Sequence, residues 1–326
     1  MTPVLDHMLA MGVLPDTPRS AHLSPVKLDT TALPGGSVVM LLFVGSDDEP
    51  RYVLRMPRTP EHPERLVCNF SSLEVLSGIS ELRSDVPDPV FCGHVDGTLA
   101  SVETCVPGLP MALRMRIARD EGDLQELVRL FQLMADWIWE LHQTTATPDA
   151  ASDAAEEVRA LDAIVQLQET GMLSEPQASW LTGVARSAGC RARAISRIHG
   201  DFNPNNALIA DHDRIYVIDW EFSRPGWPLY DLFTLARTAW FDPPGGTGPS
   251  ATRAQALWDP RTAMGQAFTR AISRYEALVG MDRADMRALF GVYVARLVVE
   301  QLAQRAAWMP RLEEEWRSLV AVAVQA

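Results

Sequence analysis

Ile198-His199-Gly200-Asp201-Phe202-Asn203-Pro204-Asn205-Asn206 is the stretch whose reading decides the fold, together with the Ile218-Asp219-Trp220-Glu221 that follows it. It is too polar for a core segment. Between the two pieces lie Ala207-Leu208-Ile209-Ala210, a polar turn Asp211-His212-Asp213-Arg214, and Ile215-Tyr216-Val217-Ile218. Two short apolar runs around a compact polar turn predict a β-hairpin. A hairpin folds its end back beside its start, so Asp219 is expected near Asn206. The stretch then gathers a carboxylate base (Asp201), a carboxamide (Asn206) and a second carboxylate (Asp219). Phosphoryl transfer uses that set, one Asp to take the proton of an attacking hydroxyl and an Asn and an Asp as oxygen ligands of Mg²⁺. The other reading is an ordinary loop rich in turn formers, Asn-Pro-Asn-Asn.

His199-Gly200-Asp201, four residues, Asn206, and then Ile218-Asp219-Trp220 resemble the signature of the aminoglycoside phosphotransferase and choline kinase family. The motif is similar to the protein-kinase catalytic loop with its Arg replaced by Gly, followed by a metal-binding Asp. The resemblance implies an α+β, bilobal, protein-kinase-like fold with a small β-rich N-lobe and a larger helical C-lobe. It also implies Asp201 as catalytic base, Asn206 and Asp219 as Mg²⁺ ligands, ATP or GTP as co-substrate, and a small-molecule hydroxyl as acceptor. His199 and Asp231 would support the site structurally.

Upstream, the pattern alternates strands and turns. Val26-Lys27-Leu28, a turn holding Gly35-Gly36, and Val38 to Val44 have the shape of a phosphate-covering loop, in which backbone amides approach the nucleotide closely. Arg51-Tyr52-Val53-Leu54-Arg55 is the next strand. Kinases carry a phosphate-binding Lys there, and the family resemblance makes Arg55 its counterpart. Arg offers a planar fork where Lys offers a point charge. A solvated edge-strand Arg is the alternative, and Lys27, the single lysine of the chain, lies on the wrong strand. A helix is expected over 65–79, with Leu66, Val67, Phe70, Leu73, Val75 and Leu76 on one side. Within it, Glu74 is the candidate partner of the strand cation, or else a surface carboxylate. Ser101 to Gly108 resembles the family's hinge, so backbone groups from Glu103 to Cys105 are expected to bind the adenine. The implied organisation is an N-terminal extension (1–20), an N-lobe (21–102), a hinge (103–108) and a C-lobe (109–326).

Beyond the hinge the chain reads as helical. The segment 123–144 carries apolar residues at helical spacing and ends in Leu141-His142, where His142 is expected to be structural. The Ala- and Asp-rich segment 148–157 reads as a surface loop, with helices near 156–170 and 175–188. After Asp219, Gly226-Trp227-Pro228 and Asp231-Leu232 resemble a family pattern of Gly-Asp-Pro and Asp-Leu, with Trp227 in place of the first Asp. Asp231 is expected to bond the backbone of the 199–206 loop. The Gly- and Pro-rich stretch 241–250 reads as a connection or a substrate lid. Trp258, Phe268, Tyr275, Trp308 and Trp316 read as core rather than as an aromatic cage.

The 326 residues are 47% hydrophobic and 22% charged, ordinary for a chain with a sizeable core. A net charge of −13 argues against nucleic acid or an anionic membrane as partner, and suits a cationic acceptor. The four cysteines are scattered without a Cys-x-x-Cys pair, which predicts free thiols and a cytoplasmic location. No signal peptide or apolar run of membrane-spanning length is legible. The 12 positions from Asp219 to Asp231 leave little room for a peptide-binding activation segment, which disfavours a protein kinase. The rival from another class is a nucleotide-binding pseudokinase or interaction module, suggested by Arg55 and Trp227. The acceptor, whether an antibiotic such as an aminoglycoside or a metabolite, is not legible, and neither is the oligomeric state. The acidic run Asp120-Glu121-Asp123 would suit a cationic antibiotic or be a solvated face.

Overall fold

The computed structural model describes residues 2–28, 37–58, 63–191, 195–239 and 256–304. The Gly35-Gly36 turn, the 241–250 stretch, Trp308 and Trp316 lie outside these residues. The chain divides into two compact units, the first formed by Met1–Leu109 with Leu208–Ser223 and the second by Pro110–Ala207 with Arg224–Ala326.

The first unit begins with α1 (Thr2–Met11) and is built on an antiparallel sheet of β1 (Leu23–Lys27), β2 (Ser37–Val44), β3 (Tyr52–Pro57), β4 (Pro89–Val95) and β5 (Thr98–Thr104), in the order β1-β2-β3-β5-β4. Period-two alternation sends Met40, Leu42, Leu54, Ala100 and Val102 to one face, where they meet Leu5, Met8 and Leu9 of α1. This is the unit's core. The other face carries Arg55, Ser101 and Glu103, all buried. Helix α2 (Glu64–Ser77) covers it.

The buried residues of α2 are Leu66, Asn69, Ser72, Leu73 and Leu76. This corrects the sequence expectation at two positions, because Val67 and Val75 are 45% and 47% exposed while a polar residue, Asn69, takes a core position at 1%. The expected hairpin forms as β8 (Ala207–Ile209) and β9 (Ile215–Val217), closed by the amide of Ala210 donating to the carbonyl of Arg214 at 2.9 Å. His212 in its turn has φ +59°. Gly108, at φ +120°, passes so close to the hairpin that a Cβ there would stand 2.8 Å from the carbonyl oxygen of Ile209.

The second unit is mainly helical. The two-residue strand β6 (Leu109–Pro110) precedes α3 (Met111–Glu121), and α4 (Leu124–Thr144) follows, capped by Asp123, whose side chain accepts from the amide of Glu126 at 2.9 Å. Asp120, Glu121 and Asp123 are exposed. Helix α4 buries Leu127, Phe131, Met134, Ile138, Leu141 and His142, the i, i+3, i+4 face its sequence specified. Next come α5 (Ala150–Glu169) and α6 (Glu175–Arg191).

The surface loop expected over 148–157 is instead the first two turns of α5. Asp149 caps them by accepting from the amides of Ala151 and Ser152, and a run of alanines carries the helix onward. Glu156, expected in that loop, is 0% exposed.

Strands β7 (Ser196–Ile198) and β10 (Arg224–Gly226) pair antiparallel around the 199–206 loop and the inserted hairpin. Helix α7 (Leu229–Thr238) follows, then α8 (Ala263–Ser273), α9 (Tyr275–Val279) and α10 (Arg283–Gln304). Phe233, Phe268, Phe290 and Tyr293 form one aromatic cluster, with Trp258 edge-on to Phe268 at 5.2 Å and Tyr275 buried nearby beside His142.

Candidate active site

In the second unit the 199–206 loop is held from below by one carboxylate. Asp231, in the first turn of α7 and 0% exposed, accepts from the amide of His199 at 2.6 Å and from the amide of Gly200 at 2.9 Å. Gly200 has φ +85°, so the chain turns here to present the next residue, Asp201. The same Asp231 meets Nε2 of His142 at 3.1 Å, and Nδ1 of His142 meets the Tyr275 hydroxyl at 2.8 Å. Burial, with Asp231 close by, pushes the Tyr275 phenol well above its ordinary value, so it remains a neutral hydroxyl. His142 is a structural link in this chain.

The loop is also fixed from within. The amide of Asp201 donates to Nδ1 of His199 at 3.3 Å, and Phe202 is fully buried, stacked on Trp137 at 5.9 Å. The carbonyl of Asp201 accepts from Nδ2 of Asn203 at 3.0 Å and from Nδ2 of Asn206 at 2.9 Å. Nδ2 of Asn206 also reaches Oδ2 of Asp201 at 3.3 Å. With its nitrogen so engaged, Asn206 is left with Oδ1 as the atom to offer a cation. Burial opposes the charge of Arg237, and Tyr293 and Asp201 more than compensate, raising its pKa.

In the first unit the central residue is Arg55. Its Nε and Nη2 each donate to Oε1 of Glu103 at 3.3 Å, and its Nη1 donates to Oδ1 of Asp219 at 2.9 Å. Burial works against this guanidinium, but Glu103, Asp219 and Glu221 outweigh it and raise its pKa, so it is charged at any working pH. Asp219 has φ +70°, a left-handed turn that a short polar residue tolerates. One of its oxygens faces Arg55; both are hard donors of the type Mg²⁺ takes. By donor chemistry Asn206 in the second unit and Asp219 in the first each suit Mg²⁺, which uses one or two carboxylates plus substrate phosphates rather than a dedicated protein cage. Among the described residues no group of three or more His, Cys, Asp or Glu forms such a cage.

One expectation is corrected. Glu74 does not hold Arg55; it is exposed on α2, and the buried Glu103 has that place. Of the backbone groups from Glu103 to Cys105, the amides of Thr104 and Cys105 donate to the carbonyls of Asp88 and Arg51, each at 2.9 Å, which leaves carbonyls as the groups to offer a base. Val106 carries the next amide in this stretch. Gly35 and Gly36 lie outside the described residues. Trp227, which stands where the family pattern has Asp, donates its Nε1 to Asp153 of α5 at 2.7 Å. Cys68, Cys92 and Cys105 are free thiols, and burial raises the last two.

The profile of the phosphotransferase enzyme family (APH) matches residues 30–266, well over half of the chain. The chain belongs to this family. It is a small-molecule phosphotransferase with a kinase-like mixed fold. Among solved structures, it is similar to the aminoglycoside phosphotransferase APH(4)-Ia, with a TM-score of 0.56 and 14% identity over 100% of this chain and 99% of that one. It is also similar to the choline kinase LicA of Streptococcus pneumoniae, with a TM-score of 0.54 and 12% identity over 93% and 94% of the two chains. A third is APH(3'')-Id of Streptomyces rimosus, with a TM-score of 0.50 and 19% identity over 91% and 97%. A thermostable mutant of APH(4)-Ia has been captured with ADP and hygromycin B, and APH(3'')-Id with ADP and streptomycin. A search of the curated proteins gave no match.

The sequence reading missed Asn69 and the side chain of Glu103. A carboxamide at helical spacing from Leu66, Leu73 and Leu76 was the available signal for the first; a carboxylate beside Val102 near the end of a strand was the signal for the second.

Proposed function

We propose that this phosphotransferase moves the γ-phosphate of ATP or GTP to a hydroxyl of a small molecule, with Asp201 as the base. The acceptor oxygen attacks phosphorus, its proton passes to the Asp201 carboxylate, and the bond to the β-phosphate oxygen breaks, releasing the nucleoside diphosphate. Asn206 and Asp219 are the proposed ligands of a Mg²⁺ ion, which would neutralise charge on the phosphates when bound. Arg55 is the proposed contact to the α- and β-phosphates. The observation that carries this reading is the fixation of the 199–206 loop. Asp231 takes the two amides before Asp201, and the Asp201 carbonyl takes the two carboxamides after it. A base must be held within a few tenths of an ångström of its target, and such a clamp supplies that.

The acceptor is proposed to be a hydroxylated small molecule. The classes to screen are aminoglycoside-type antibiotics, which similar proteins bind, and amino alcohols, as for the similar choline kinase. A cytoplasmic site of action is part of the proposal; among the described residues no helix is long and apolar enough to cross a membrane. One observation favours nucleotide binding without transfer, namely that Arg55 is engaged by Asp219.

The test is calorimetric titration with ATP and GTP, with Mg²⁺ and with chelator, followed by acceptor screening through nucleotide consumption and product mass. Mg²⁺-dependent binding and a phosphorylated product are expected. Binding without any product across those acceptor classes would favour the non-transferring reading, and no binding at millimolar nucleotide would overturn both.

A further inference from the structure

Arg55 and Glu103 meet because of strand register. In the antiparallel pair of β3 and β5, Arg55 stands opposite Ser101 and Val53 opposite Glu103. Glu103 is therefore the diagonal neighbour of Arg55 on the same face, a distance that long side chains span. Ser101, directly opposite, is small and leaves the guanidinium room. Glu103 is 2% exposed and Arg55 7%. A buried carboxylate of this kind needs partners for both oxygens. Oε1 takes Nε and Nη2 of Arg55. Oε2 accepts from Nδ2 of Asn69 at 2.7 Å.

Asn69 is the notable member. It stands on the buried side of α2, against the strand carboxylate Glu103, and it carries no charge. Its Nδ2 serves Glu103, while its Oδ1 accepts from the backbone amide of Trp220 at 2.8 Å. A carboxylate at this position would lack the donor and would repel Glu103. A carboxamide instead joins the strand carboxylate to the backbone one residue past Asp219. The loop bearing Asp219 is thereby tied to Arg55 twice, directly and through Glu103 and Asn69.

We propose that Glu103, oriented by Asn69, is the positioning residue that aims Arg55 at the nucleotide phosphates, with the carboxylate supplied by β5 and the helix supplying the amide that holds it. This inference rests on the proposed role of Arg55 as phosphate contact.

The test uses the full chain and four variants: Arg55→Met, Glu103→Gln, Asn69→Ala, and the double variant Glu103→Gln with Asn69→Glu, which moves the carboxylate from strand to helix. Affinity for the Mg²⁺ nucleoside triphosphate and for the matching nucleoside is measured by calorimetry, with circular dichroism to check the fold. A residue that aims the phosphate cation alters the first affinity and spares the second. For Glu103→Gln the triphosphate should bind about tenfold or more weakly, with the nucleoside within about twofold, and the double variant should recover most of the loss. Parallel loss of both affinities means a structural role only and overturns the inference. If Arg55→Met weakens the triphosphate but Glu103→Gln does not, the positioning role fails while Arg55 stands. If Arg55→Met itself changes nothing, the underlying reading of Arg55 fails. Should Glu103→Gln not fold, Asn69→Ala is read by the same criteria, since it unties Oε2 of Glu103 while Arg55 still pairs its charge.

Discussion

Nη1 of Arg55 donates to Oδ1 of Asp219 at 2.9 Å, although 164 positions separate them in the chain. The guanidinium divides its fork between this carboxylate and Glu103, and a lysine could not serve both in that geometry. Arg55→Lys is expected to keep the charge and lose the fork. Nucleotide affinity should fall about tenfold, as read by calorimetry with Mg²⁺ present. Unchanged affinity would show that a point charge suffices.

Asp201→Asn keeps the shape of the loop residue and removes the base. With an acceptor in hand, kcat should fall by about 10²–10⁴-fold while nucleotide affinity stays within about twofold. Equal loss of both would place Asp201 in nucleotide binding instead.

Asp231 receives two backbone amides from the loop while fully buried. Asp231→Asn presents an NH₂ group to one of them and removes the charge that strengthens both bonds. Unfolding free energy should drop by roughly 2–3 kcal/mol in denaturant titration, with the transfer rate falling as the loop loosens. A variant as stable as the parent would mean the loop is held by its own internal bonds.

Glu156 is 0% exposed and gathers three arginines, Arg159 at 2.6 Å, Arg224 at 3.3 Å, and Arg296. Burial alone would raise its pKa, but Arg296, Arg224 and Arg159 outweigh it and hold the carboxyl below its ordinary value. A depressed folded-state pKa contributes stability above the ordinary carboxylate range, and that contribution is lost as the pH falls through the folded value. Glu156→Gln should cost about 3–5 kcal/mol at neutral pH, because it strands buried guanidinium groups. The gap from the parent should narrow below about pH 4. A gap independent of pH would show that packing, not charge, sets the cost.

The 199–206 loop, the hairpin after it, and the bonding of Asp231 to the loop backbone were legible because each is written in local chemistry. Turn formers sit where the chain bends, apolar alternation marks the strands, and Gly200 stands where φ is +85°. The long face of α4 was legible for the same reason, since its apolar residues repeat at helical spacing over 21 residues. Local chemistry also misled. Asp149 and the alanines after it resemble a surface loop until a helix is seen to start there and bury Glu156 against arginines about 3, 68 and 140 positions away.

The sequence by itself determined the family, the fold class and the order of the candidate site residues, because short-range spacing and backbone preference carry that information. Which carboxylate holds Arg55 was decided by the tertiary structure alone. The sequence pointed to Glu74 and offered Glu103 only as a hinge backbone position. The register of β3 on β5 brings Glu103 within reach, and the rotation of α2 turns Glu74 outward and Asn69 inward. Register and helix rotation follow from the packing of the whole sheet, where a single polar residue has no vote against the apolar residues that surround it.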